Sequence, residues 1–171
     1  MRKTIITLFA VLLSLTAMAK VKVTSGSTAC LKENATAIVE FDYSEATFDK
    51  EQSYESWCGE DYEERVNLSK EEFIRSFNKK SKGLQINNDS SDAKYRIIVK
   101  VGNCDQNMGM SCTWGQMQFK CSGIITIVEI ATNEIICTVD VNEVKGGCDY
   151  TPLDRITECF GSIGKELSKL K

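Results

Sequence analysis

The chain is 171 residues long, carries a formal charge of −3 and contains no histidine. That composition excludes Ser-His-Asp and Cys-His nucleophilic systems, His-based acid-base chemistry and the common catalytic zinc sites. Its acidic balance is the wrong sign for a protein that neutralises nucleic-acid phosphates, so no nucleic acid is expected among its partners.

Met1-Arg2-Lys3 is a short cationic head, Ile5 to Leu15 is apolar except for Thr7 and Ser14, and Ala17-Met18-Ala19 is a small-x-small cleavage site. Together they predict a signal peptide over residues 1–19 and a periplasmic or secreted protein beginning at Lys20. The leader holds Arg2 and Lys3 and no acid, so residues 20–171 carry −5, and their length suits one α+β domain. No later apolar run reaches the ~18 residues that cross a bilayer, which predicts no transmembrane segment after cleavage. The cleavage site has no cysteine of the kind that carries a lipid anchor. All eight cysteines (Cys30, Cys58, Cys104, Cys112, Cys121, Cys137, Cys148 and Cys159) follow the leader. An even set in an oxidising compartment predicts disulfides.

Thr36 to Tyr43 alternates with the period of a half-buried strand. Residues 44–67, acidic with scattered aromatics, read as a loop pinned by Cys58, with at most a short helix near Glu60 to Val66. Ser69 and Glu72 have capping-box spacing, and Leu68 and Phe73 flank them as a hydrophobic staple, predicting a helix from Lys70 to Lys82 that stops at Gly83. Tyr95 to Val101 alternates again, so this helix is a crossover between two strands. Met117 to Ile130 forms a third strand, bent or bulged at Gly123, and Ala131 to Glu134 turns it into a fourth, Ile135 to Val144. Pairing Ile130 with Ile135 places Ile124, Val128 and Ile130 on one apolar face with Cys137, Val139 and Val141. Pro152 and Asp154 introduce a final helix whose apolar stripe is Ile156, Phe160, Ile163, Leu167 and Leu170, with Cys159 on it. The order strand, helix, strand, strand, strand, helix defines an α+β sandwich with a mostly antiparallel sheet, stapled by disulfides.

Three segments carry a family likeness: Val39-Glu40-Phe41-Asp42-Tyr43, the Lys82-Gly83-Leu84 before Asp92-Ala93-Lys94-Tyr95, and the hairpin from Gly123 to Glu134. In them the chain resembles periplasmic lipoproteins of unknown function and, more distantly, the amino-terminal domain of TolB and the outer-membrane activators of penicillin-binding proteins. The resemblance implies a non-enzymatic adaptor fold and brings no catalytic residue and no cofactor.

Trp57-Cys58-Gly59 matches the front of a thioredoxin-type site but lacks the resolving cysteine two residues on, so Cys58 reads as a structural half-cystine. Residues 108–117 hold every methionine beyond the leader, together with Cys112 and Trp114. Met108, Met110, Cys112 and Met117 are soft donors that suit Cu(I), while Met108, Met110 and Trp114 equally suit an adaptable contact with a partner. The Asn87–Asp92 turn and the acids Glu60, Asp61, Glu63 and Glu64 have no calcium-loop register and read as solvated charges. The expectation is a binding or adaptor module for a macromolecule of the envelope or exterior, with a soft-metal or small-ligand binder as the alternative.

Chain proximity pairs Cys30 with Cys58 and Cys104 with Cys112, a shared hairpin end pairs Cys121 with Cys148, and two apolar faces pair Cys137 with Cys159.

Overall fold

The structure, a computed structural model, describes residues 20–108, 117–146 and 152–170. The expected signal peptide (residues 1–19), Met110, Cys112, Trp114 and Cys148 lie outside the described residues. Strands β1 (Val21–Gly26), β2 (Thr36–Asp42), β3 (Thr47–Phe48), β4 (Gln52–Ser53), β5 (Gln85–Ile86), β6 (Tyr95–Met108), β7 (Met117–Glu129) and β8 (Glu134–Lys145) form one open sheet. Its main path runs β1-β8-β7-β6-β2-β5, with β3 and β4 added at the far half of β6. Helices α1 (Tyr54–Cys58), α2 (Tyr62–Lys80) and α3 (Pro152–Leu167) complete an α+β fold whose sheet is mostly antiparallel. No helix among the described residues is long and apolar enough to cross a membrane.

β2 and β6 run parallel with α2 between them, the crossover that helix-between-strands patterning requires. β6, β7 and β8 are antiparallel neighbours, and Asn133 closes the β7–β8 turn at φ +56°, a conformation that Asn tolerates. The register slips between Val101 and Cys104 and between Cys121 and Gly123, which confirms a bulge beside Gly123. α3 buries Ile156, Cys159, Phe160, Ile163 and Leu167, one stripe at helical spacing, and lies over β7 and β8.

Several expectations are corrected. Residues 44–67 are not a loop: they hold β3, β4, α1 and the first turns of α2. Ser69 lies inside α2, fully buried, its hydroxyl without a hydrogen-bond partner, so it caps nothing. Glu72 instead takes three bonds from within the helix, two from the Arg75 guanidinium and one from the Ser76 hydroxyl, each at 2.7 Å. Tertiary burial of Ser69, Phe73 and Phe77 carries the helix back through the local start signal to Tyr62, and it ends at Lys80, short of Gly83. Gly83 is not a left-handed cap, because positive φ among the described glycines occurs at Gly26 and Gly59. Gly83 is instead required by close approach: a Cβ there would stand 2.5 Å from the Lys32 backbone.

The β7–β8 register also differs from expectation: the turn keeps four residues but starts one residue earlier. Glu129 pairs with Glu134 and Val128 with Ile135, and after a further slip Ile127 faces Cys137 and Ile125 faces Val139. Ile125 and Ile127 therefore seal the core, while Ile124 and Val128 turn to the opposite face.

Candidate functional site

Two regions concentrate what this chain can do: a nest of thiols and aromatic rings at one end of the sheet, and the face of the sheet that the helices leave open.

The nest is built where β6 and β7 pass their bulge. Cys104 and Cys121 are direct cross-strand partners, both buried, with their Sγ atoms 3.1 Å apart. Cys159, fully buried on α3, donates its thiol to the Phe119 carbonyl at 3.2 Å. Cys121 thus lies between two other thiols, Cys104 and Cys159, and these neighbours, followed by burial, push its own thiol well above the ordinary range. Around the thiols stand Phe48 stacked on Trp57 at 3.9 Å, Phe119 at 5.6 Å from Trp57, and Tyr43 stacked on Tyr54 at 5.2 Å. The Arg65 guanidinium covers the outer side of Trp57 at 4.7 Å and holds Asp61 at 3.2 Å. Burial raises the Tyr43 and Tyr54 phenols far above their ordinary range.

Such surroundings suppress thiolate formation. Cys58 is pushed up to about 11 by burial, the reverse of an activated redox thiol, which supports reading Trp57-Cys58-Gly59 as structural. Among the described residues no group of three or more Cys, Asp or Glu side chains is arranged to hold a metal ion. The soft-donor strands end elsewhere: Met108 pairs with Met117 in the ladder, four residues along from Cys104 and Cys121, roughly 13 Å at strand rise. The thiol nest and the methionine pair are therefore separate features.

The expected pairings of Cys104 with Cys112 and of Cys121 with Cys148 involve residues outside the described ones, and Cys30 and Cys58 are both free. Cys30 lies beside Cys137, whose proximity adds to burial in pushing the Cys30 thiol up to about 11. Cys137 aligns with Ile127, whereas Cys159 packs on Gly146 and Phe119 near Cys121. Six residues separate Ile127 from Cys121 on one strand, roughly 20 Å, so Cys137 and Cys159 sit at opposite ends of the sheet. Apolar periodicity placed both on the core face correctly, but it is silent about position along the strand. No disulfide is closed among the described cysteines.

On the open face the register sets Ile38, Arg96, Val128 and Ile135 in one row. The next row is Glu40, Ile98, Thr126 and Thr138, and the third is Asp42, Lys100, Ile124 and Asp140. Ile135 is 65% exposed, Ile124 46% and Ile130, at the hairpin turn, 37%. Ion pairs border the isoleucines: Arg96 with Glu40 at 3.3 Å and Lys100 with Glu45 at 2.8 Å. A groove of about 540 Å³ between α2 and α3 is also present, but Glu72 on its wall is already engaged by Arg75 and Ser76. The acids read as solvated charges are so: Glu60, Asp61, Glu63 and Glu64 are exposed at the start of α2. In the Asn87–Asp92 turn the Asn87 side chain accepts from the Asp89 backbone, and Asn88 from Val39 at 2.7 Å.

No protein-family model matches the chain, and no curated protein matches it. Among solved structures it is similar to the PelC dodecamer of Paraburkholderia phytofirmans, at 9% identity over 85% of this chain and 96% of that one, with a TM-score of 0.49. It is similar also to a neuraminyllactose-binding hemagglutinin homolog from Helicobacter pylori, at 13% identity over 81% and 83% of the two chains, TM-score 0.39. A third is a Xanthomonas campestris protein of the DUF330 family, at 8% identity over 84% and 87%, TM-score 0.44. All three are bacterial proteins, and the likeness is of general shape and carries no argument about function. The expected resemblance to the TolB amino-terminal domain is not shown by these structures.

Proposed function

We propose that the chain is a non-enzymatic binding or adaptor module, exported to the bacterial envelope or exterior, that receives a protein partner on its helix-free sheet face. The observation that carries this reading is the isoleucine surface of β6, β7 and β8, bordered by ion pairs of both signs. Apolar residues ringed by mixed charge form the common pattern of a protein–protein contact, with a dry centre and a polar rim. A net negative chain disfavours nucleic acid as the occupant.

The test is a photocrosslinker placed at Ile135 in the exporting cell, with a control at exposed Glu71 on α2. A discrete adduct formed from position 135, absent from position 71 and lost on Ile124→Lys supports the reading. Equal adducts from both positions, or an adduct indifferent to Ile124→Lys, overturn it.

The soft-metal reading has one observation in its favour: β6 and β7 make Met108 and Met117, distant in sequence, direct cross-strand partners. With Met110 and Cys112 nearby in sequence, thioethers and a thiol could take Cu(I). Native mass spectrometry after Cu(I) titration checks it: one tightly held ion, lost on Met108→Leu with Met117→Leu, supports a metal site, and no retained ion ends it.

A further inference from the structure

We propose that Cys104 and Cys121 are joined by a disulfide across β6 and β7 in the exported protein. The register makes them direct partners in an antiparallel pair, where Cα separations of about 4.5–5.5 Å fall inside the ~4.4–6.8 Å range of disulfides. Their sulfurs already stand 3.1 Å apart, so an approach of about 1 Å closes the bond without backbone rearrangement. The rival partner of Cys121 is Cys159, but that thiol donates to the Phe119 carbonyl, whereas Cys104 is the direct cross-strand partner. This assignment departs from the pairing that chain proximity gives, Cys104 with Cys112, and from the one a shared hairpin end gives, Cys121 with Cys148.

The position gives the bond a purpose. It sits where the β6–β7 register is interrupted, between Val101 and Cys104 on one strand and beside Gly123 on the other. A covalent link there clamps the ladder at its irregular point and fixes the base of the hairpin that ends at Met108 and Met117.

Closure is a thiol–disulfide exchange with an external disulfide oxidant. One thiolate attacks the oxidant's sulfur, forming a mixed disulfide and releasing one thiol, and the second thiolate displaces the other. Two cysteine thiols and one disulfide thus become one cystine and two thiols, with no electrons or protons unaccounted for. Since both side chains are sealed from solvent, the exchange precedes final burial.

The experiment takes the full chain exported with its leader, blocks free thiols under denaturing conditions and digests with trypsin and a Glu-specific protease without reduction. Cleavage after Lys100, Lys120 and Glu129 puts Cys121 alone on residues 121–129, while Cys104 and Cys112 share residues 101–120. The expected result is residues 121–129 linked to 101–120, in the native sequence, in Cys112→Ser and in Cys159→Ser. Loss of the link in Cys112→Ser assigns the bond to Cys112 and overturns the proposal. So does residues 121–129 recovered alkylated, or linked to the piece carrying Cys148 or Cys159.

Discussion

On one face of the sheet Ile97, Ile125 and Ile127 are completely buried, while on the other Ile98, Ile124 and Ile135 face outward, although they are the same residue type and near neighbours in the chain. The difference lies in parity. Successive strand residues point to opposite faces, and each register slip in β7 and β8 resets which of them meets the helices. The covered face obtains its stability from burial. The open face keeps apolar groups in water, where they add little to the fold and are available to a partner.

The largest expected effect separates the two faces directly. Ile127→Ala leaves a cavity in the sealed core and should cost about 3 kcal/mol, whereas Ile124→Ala on the open face should cost less than about 1 kcal/mol. Urea midpoints of both variants check this, and equal losses would break the assignment of the faces. Next is the layer that covers the core. A Cβ at Gly164 of α3 would stand 2.5 Å from the Phe73 carbonyl of α2, so Gly164→Ala should cost about 2 kcal/mol despite alanine's better helix propensity. A calorimetric melt showing a raised midpoint would mean that the helices are not in such close contact.

Ser69→Ala sharpens the comparison through its sign. An N-cap would lose about 1 kcal/mol on this change, but a buried hydroxyl without a partner should lose nothing and gain up to about 1 kcal/mol. A guanidinium melt that moves down in midpoint restores the capping role. The smallest effect is in acid. For Glu72, between the helices, burial works to raise the carboxyl, yet Arg75 and Ser76 prevail and hold it below its ordinary 4.5. Asp42, on the open face, is held below 3.8 chiefly by the Ser44 hydroxyl. Lowered folded-state values mean stability present above those pH values and lost as pH falls through the folded ones. Melts from pH 7 down to about 3 should therefore show a shallow acid loss. Glu72→Gln should flatten it more than Asp42→Asn, and the opposite ranking would place the sensitive carboxylate on the open side.

The sequence by itself determined the elements whose signal is local and periodic: the alternation of β2 and β6, the β7–β8 turn, the bulge beside Gly123, the α2 crossover and the buried stripe of α3. It also determined that Cys137 and Cys159 face the core, because side-chain parity on a strand and helical spacing are both written in the order of apolar residues. Only the tertiary structure decided where along the sheet each cysteine lies, because cross-strand register depends on bulges and on long-range packing rather than on chain proximity. For that reason Cys104 meets Cys121, and the expected staple between Cys137 and Cys159 would have to span roughly 20 Å along the sheet. The start of α2 and the role of Gly83 escaped for a related reason. A capping box and a glycine stop compete locally, but burial of Ser69 under the sheet and the closeness of Lys32 to Gly83 are imposed by segments remote in sequence.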